Sequence, residues 1–264
     1  MSDLLAALLL GILEGLTEFL PISSTGHLLI AQHWLGPRSD FFNIVIQAGA
    51  ILAVTLAFRR RLWELATGLG EPANRDYVAK LGVAFLVTVL VGLPLRLAGW
   101  KLPETVTPVA WALVIGGIWM LVAEHYAGKR GDVAAVTWKV AVLVGLAQVV
   151  AGIFPGTSRS AAAIFVAMLA GTSRRASATE FVFLVGIPTM FAASGFAFLE
   201  LAMDGDLAGE DWGSVAVAFA AAALTGFVVV RWLMGYIKAH RFTGFAVYRI
   251  VLGALLLALM PGGA

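Results

Sequence analysis

Ten apolar runs follow one another along the chain, at 3–20, 24–35, 41–58, 78–97, 107–126, 137–154, 158–171, 178–201, 213–234 and 244–260. Most approach the ~20 residues that carry a helix across a hydrocarbon core. In lipid every backbone N–H and C=O must be satisfied inside the protein, which only helices and closed barrels achieve. The runs lack the alternation a barrel strand needs, so the barrel is excluded. Charged residues make up 13% of the chain, about half the ~25% of soluble domains. The sequence therefore reads as an all-α polytopic membrane protein, one integral membrane domain over 1–264.

Several function classes drop out at once. A net charge of +2 without a basic tail gives no partner role to nucleic acid. The absence of cysteine excludes disulfides, thiolate metal sites and cysteine nucleophiles. The start "MSDLLAALLLG" has no basic n-region and reads as mature protein, not as a signal peptide.

Two runs, 24–35 and 158–171, are too short to span, and each follows a proline, Pro21 or Pro155, that ends the preceding helix. Both breaks are rich in polar residues and read as re-entrant helical hairpins, since irregular backbone at membrane depth lines a cavity or is buried in protein. A shift of 134 residues sets "GILEGLTEFLPISS" over "GLAQVVAGIFPGTS", placing Gly11 on Gly145, Glu14 on Gln148, Pro21 on Pro155, Ser23 on Thr157 and Ser24 on Ser158. A duplicated unit with paired broken helices points to a site between repeats. The expected repeats are 1–126 and 137–264.

Charge placement supports six spanning helices plus the two hairpins. One face then collects thirteen basic residues, including Arg59, Arg60, Arg61, Arg174 and Arg175, against Arg38, Arg96 and Lys101 on the other. By the positive-inside rule the basic face is cytoplasmic. The termini and the mouth of the first hairpin then face outward. Three crossings per unit invert the second repeat relative to the first. Arg159 and Arg249 fall inside apolar runs; Arg249 reads as snorkelling.

The stretch "ILEGLTEFLPISSTGH" concentrates the chemistry. Glu14 and Glu18 share a helical face, where like charges repel, in a segment where charge is costly. A proton or a bound cation must compensate them, and Mg²⁺ and Ca²⁺ accept carboxylate oxygens. Ser23, Ser24 and Thr25 can cap the short helix after Pro21, whose free N–H groups attract an anion such as phosphate. His27 lies on the face of Ser23 and Ser24. In "PGTSRSA", Pro155 and Gly156 make a turn, Thr157, Ser158 and Ser160 offer donors, and Arg159 offers a planar fork for phosphate oxygens or a salt bridge to Glu14 or Glu18. Gln47 reads equally as packing glue or site lining.

"GLTEFLPISSTGH" and "PGTSRSA" resemble the two signature regions of the undecaprenyl-diphosphate phosphatase family, also called bacitracin-resistance proteins. The likeness extends to "IQAGAILAV", "ATEFVFLVGIPTMF" and "VYRIVLGALLL" and covers essentially the whole chain. It departs from the family's PGxSRSGxT form at Ala161 and Ala163. The resemblance implies an inner-membrane hydrolase with inverted repeats, an outward-facing site and a divalent cation, Mg²⁺ or Ca²⁺. The reaction it implies converts undecaprenyl diphosphate to undecaprenyl phosphate and inorganic phosphate, recycling the lipid carrier of peptidoglycan synthesis. The implied catalytic residues are Glu18, Ser24, His27 and Arg159, with Glu14 and Glu18 on the metal. Ser23, Thr25, Gly156, Thr157, Ser158 and Ser160 are the substrate contacts.

On this reading Ser24, activated by His27 or Glu18, attacks phosphorus, or water attacks while Ser24 positions phosphate. A lipid-phosphate flippase would need the same anion site, and a non-enzymatic lipid-binding protein would leave the polar cluster without a purpose. The expected partners are a polyprenyl diphosphate, membrane lipids and, as a further candidate, a second copy of the chain.

Overall fold

The computed structural model describes residues 2–100, 105–204 and 209–259. Lys101, residue 260 and positions 205–208 of the acidic stretch 203–211 lie outside the described residues. Everything described is helix or connecting loop: α1 (Asp3–Thr17), α2 (Ser24–Leu35), α3 (Asp40–Ala57), α4 (Arg59–Thr67), α5 (Pro72–Leu97), α6 (Val106–Gly128), α7 (Trp138–Ile153), α8 (Arg159–Ala170), α9 (Arg175–Asp204), α10 (Trp212–Ala239) and α11 (Thr243–Leu259). Local chemistry sets several starts. Ser39 and Thr137 cap α3 and α7 by accepting from the N–H groups of Phe42 and Val140, and Pro72 fills the first turn of α5, where a missing N–H costs nothing.

Among the described residues five helices, α3, α5, α6, α9 and α10, are long and apolar enough to cross a bilayer. The last expected span is the 17-residue α11. The helix pairs α1–α2 and α7–α8 occupy the two expected hairpins. The region between 59 and 77, expected as loop, contains the amphipathic α4, with Leu65 buried and Trp63 71% exposed. The exposure pattern is that of a protein wrapped in hydrocarbon: Leu90, Ile115, Leu224 and Val228 stand on the outside.

Inside, helices meet through small residues, as membrane helices do in the absence of a hydrophobic drive between them. α1 packs along α10, α7 along α5, α6 along α11, and α3 against α9 and α10. A Cβ on Gly11 would run into the backbone of Ala218, and one on Gly145 would stand 2.6 Å from the carbonyl oxygen of Ala84. Gly145 follows Gly11, and Ala218 follows Ala84, by the same 134 residues. The close contact between α1 and α10 thus has a counterpart, at the same 134-residue offset, between α7 and α5.

Two polar side chains of the interior find partners on other helices. Glu124, 5% exposed, pairs with Arg175 at the start of α9 and accepts from the Phe242 N–H at 2.7 Å just before α11. Gln47, on α3, accepts from the hydroxyl of Ser194 on α9 at 3.3 Å, linking the two helices.

Candidate active site

Helix α1 stops at Thr17 and α7 at Ile153, ahead of Pro21 and Pro155, and in each case the chain turns sharply into a second short helix. Both turns end on a serine in the left-handed region, Ser23 at φ 74° and Ser158 at φ 68°. No other non-glycine residue among those described has positive φ, a conformation that costs about 1–3 kcal/mol and clusters at functional sites. Each of these serines caps its helix: Ser23 Oγ accepts from Gly26 N–H and Ser158 Oγ from Ala161 N–H, both at 3.3 Å. In the second turn Gly156 (φ +88°) has no room for a side chain, because a Cβ would lie 2.9 Å from Val109 Cα.

The capping serine follows its proline by two residues in the first turn (Pro21 to Ser23) and by three in the second (Pro155 to Ser158), and this changes the pairing between the two hairpins. The 134-residue shift puts Ser24 on Ser158, but the residue occupying the place of Ser158 is Ser23, and the partner of Ser24 is Arg159. Ser24 and Arg159 are the first residues of α2 and α8.

Those two residues converge on one carboxylate. Ser24 Oγ donates to Glu18 Oε2 at 2.5 Å, in the charge-assisted range. Arg159 Nη2 donates to Glu18 Oε1 at 3.2 Å. Glu18 itself is the residue at which α1 ends. It stands at the negative end of its own helix dipole, held there by a guanidinium and a hydroxyl at the starts of two others. Its side chain is 6% exposed and that of Arg159 27%. Ser160 Oγ donates across the site to the carbonyl of Leu20 at 3.2 Å and lies 3.1 Å from Ser158 Oγ, joining the two turns. Thr25, in the first turn of α2, and Thr157, in the second hairpin turn, lie half-buried nearby. A narrow cleft beside Glu18 and Arg159 runs on between Val54, Gln148, Val182 and Met190.

His27 is placed differently from expectation. Its Nδ1 lies 2.7 Å from the carbonyl of Ser23, which can only accept, so Nδ1 carries the proton. In the neutral ring Nε2 then accepts from the hydroxyl of Tyr248, also at 2.7 Å. The hydroxyl of Ser24 is committed to Glu18, and His27 braces the backbone of the strained turn.

Arg249 does not snorkel. It is fully buried, and its five N–H groups all donate to backbone carbonyls: Nε to Leu113 at 3.4 Å, Nη1 to Pro21 and Thr157 at 3.3 and 3.0 Å, Nη2 to Ala112 and Gly156 at 3.0 and 3.1 Å. Ala161 and Ala163, the departures from the family form, are buried in the helical core of α8.

The donor set suits a hard divalent ion shared with a ligand. Glu14, 2% exposed, keeps Oε2 buried without a hydrogen-bond partner, one turn before Glu18. Among the described residues no group of three or more metal-ligating side chains is assembled. Two carboxylates completed by water and phosphate oxygens are the usual surroundings of Mg²⁺.

Fold and site together define a polytopic membrane protein with a carboxylate–serine–arginine centre between two broken-helix hairpins. The family described as "Bacitracin resistance protein BacA" matches residues 7–255, and the chain belongs to that family. It is 73% identical over 264 residues to the undecaprenyl-diphosphatase of Xanthomonas axonopodis pv. citri (strain 306), covering 100% of both chains. It is 74% identical over 261 residues to that of Xanthomonas campestris pv. campestris (strain 8004), covering 99% of each, and 75% identical over 264 residues to that of Stenotrophomonas maltophilia (strain K279a), again covering 100% of both.

Proposed function

We propose that the protein hydrolyses undecaprenyl diphosphate to undecaprenyl phosphate and inorganic phosphate in the bacterial inner membrane. This would recycle the lipid carrier of cell-wall synthesis and confer bacitracin resistance. Full-length relatives named for that activity support the reading. The observation that carries it is the Glu18 carboxylate spanned by Ser24 from one hairpin and Arg159 from the other.

The geometry supports a covalent route. Arg159, partly exposed, exchanges Glu18 for the terminal phosphate and neutralises its oxygens together with the first N–H groups of α2 and α8. Ser24 Oγ attacks the terminal phosphorus while its proton passes to Glu18 Oε2. The bond from that phosphorus to the bridging oxygen breaks, and undecaprenyl phosphate leaves with the electron pair. Glu18 passes the proton to the departing undecaprenyl phosphate, then takes one from a water that attacks the phosphoserine. The proton returns to Ser24 Oγ as phosphate departs. Glu14 and Glu18 would hold Mg²⁺ or Ca²⁺, which supplies charge neutralisation on the diphosphate. Ser23, Thr25, Thr157, Ser158 and Ser160 line the two turns as phosphate contacts, and His27 holds the first turn in shape.

The repeated contacts of Gly11 with Ala218 and of Gly145 with Ala84 support two repeats, and the bias of basic residues supports their inversion, α11 as a sixth span, outward termini and an outward-facing site. The polyprenyl tail would follow an apolar groove into the lipid. A flippase would use the same anion site, and phosphate release by detergent-purified protein separates the two, because a micelle has no second compartment. Metal-dependent release from undecaprenyl diphosphate is expected; binding of the lipid without release would overturn the hydrolase.

A further inference from the structure

We infer that Arg249 of α11 is a positioning residue of the active site, locking the two hairpin turns into register through their backbone carbonyls. This rests on the diphosphate reading of the site above. Arg249 is fully buried and heads the largest buried side chains among the described residues, yet the partners of its guanidinium are carbonyl oxygens alone. It reaches Pro21 of the first turn, Gly156 and Thr157 of the second, and Ala112 and Leu113 of α6. A guanidinium has five N–H donors in a rigid fork, and all five are used. A buried cation with no carboxylate beside it is costly, and packing alone would be served by an apolar residue of the same volume.

The placement tells what the arginine does. Pro21 lies three residues before Ser24, and Thr157 two before Arg159, so one rigid plane fixes the offset between the two groups that hold Glu18. Those turns carry the only positive-φ serines described, and a strained conformation persists only where its surroundings over-determine it. The charge also stands behind both helix starts. It adds to the positive field there without being consumed by a local anion, so a bound diphosphate is the anion that completes it. Tyr248, the preceding residue, reaches His27 at 2.7 Å and extends the brace to α2. The channel for Arg249 is built to measure, since a Cβ on Gly116 would overlap Nη2 and come within 2.8 Å of Cζ.

Two kinds of variant test this in the detergent-purified full chain. Arg249→Lys keeps the charge but has three donors. Gly116→Ala keeps every donor and raises the helix propensity of α6 while pushing the fork off its carbonyls. Because the chain has no cysteine, spin labels at Trp34→Cys in α2 and Ala170→Cys in α8 report the register of the hairpins without reference to activity. Both variants are expected to broaden the label distance distribution. With undecaprenyl diphosphate, kcat should fall ~10²-fold in Arg249→Lys and ~10-fold in Gly116→Ala, with KM within about threefold, as misplacement by an ångström does. A folded Gly116→Ala or Arg249→Lys protein with the wild-type distance distribution and kcat would overturn the inference. Loss of folding in both would assign Arg249 to folding alone and overturn it equally. Altered distances in a protein whose wild type releases no phosphate would instead refute the diphosphatase reading and leave the lock standing.

Discussion

Glu18 and Arg159 lie 141 residues apart in the chain and form an ion pair of 3.2 Å at the tips of two separate hairpins. The pair neutralises a buried carboxylate at a helix C-terminus. On the proposed reading, an incoming phosphate displaces the carboxylate from that guanidinium.

Arg159→Lys tests whether the fork matters beyond its charge. A lysine presents a point charge without bidentate geometry, so it should recover only part of the ~10³-fold or greater loss expected for Arg159→Ala, by analogy with arginine fingers. Steady-state phosphate release measures both. Equal rates for the Arg159→Lys variant and the parent enzyme would leave only the charge.

Ser24 decides the chemical route. With undecaprenyl diphosphate labelled in the terminal phosphate, a rapid acid quench should recover label on protein in the parent enzyme and none in Ser24→Ala. Turnover in Ser24→Ala should fall by at least ~10³-fold. Retention of most of the turnover would assign the attack to water.

Glu14 is the residue whose loss should be read through the metal. Chelation of divalent ions is expected to stop turnover, with Mg²⁺ or Ca²⁺ restoring it. Glu14→Gln should raise the metal concentration for half-maximal rate by ~10-fold or more, a scale typical of removing a single supporting group, with less effect on lipid KM. A parent enzyme indifferent to chelation would remove the metal from the site.

The paired glycines predict stability rather than rate. Gly11→Ala and Gly145→Ala place a Cβ against the backbone of Ala218 and Ala84, an overpacking worth about 1–3 kcal/mol. Gly82→Ala in α5 meets nothing within 4 Å and should be neutral or stabilising, since alanine gains up to ~1 kcal/mol over glycine in a helix. Thermal unfolding in detergent should rank them so.

Much of this was legible because membrane helices announce themselves by long apolar runs and because both hairpins carry proline beside hydroxyls. The meeting of Glu18 and Arg159 followed from charges that could not stay unpaired in lipid. α4 escaped notice because three arginines open it and the whole helix is only nine residues long. The equivalence of Ser24 with Arg159 was hidden by the extra residue between Pro155 and its capping Ser158, which an alignment through the prolines cannot see. Arg249 was misread for a different reason: its acceptors are backbone carbonyls, which leave no mark in the sequence of side chains. The arginine itself, in the middle of "VYRIVLGALLL", was the available signal.

The most direct measurement of the central claim, that Glu18 and Arg159 act on one phosphate, is a double-mutant cycle of Glu18→Gln and Arg159→Ala on kcat/KM for undecaprenyl diphosphate. Groups acting as a unit are grossly non-additive, so the double variant should be no slower than the slower single variant by more than about threefold. Losses that multiply across the two substitutions would place the residues in separate functions and contradict the shared site.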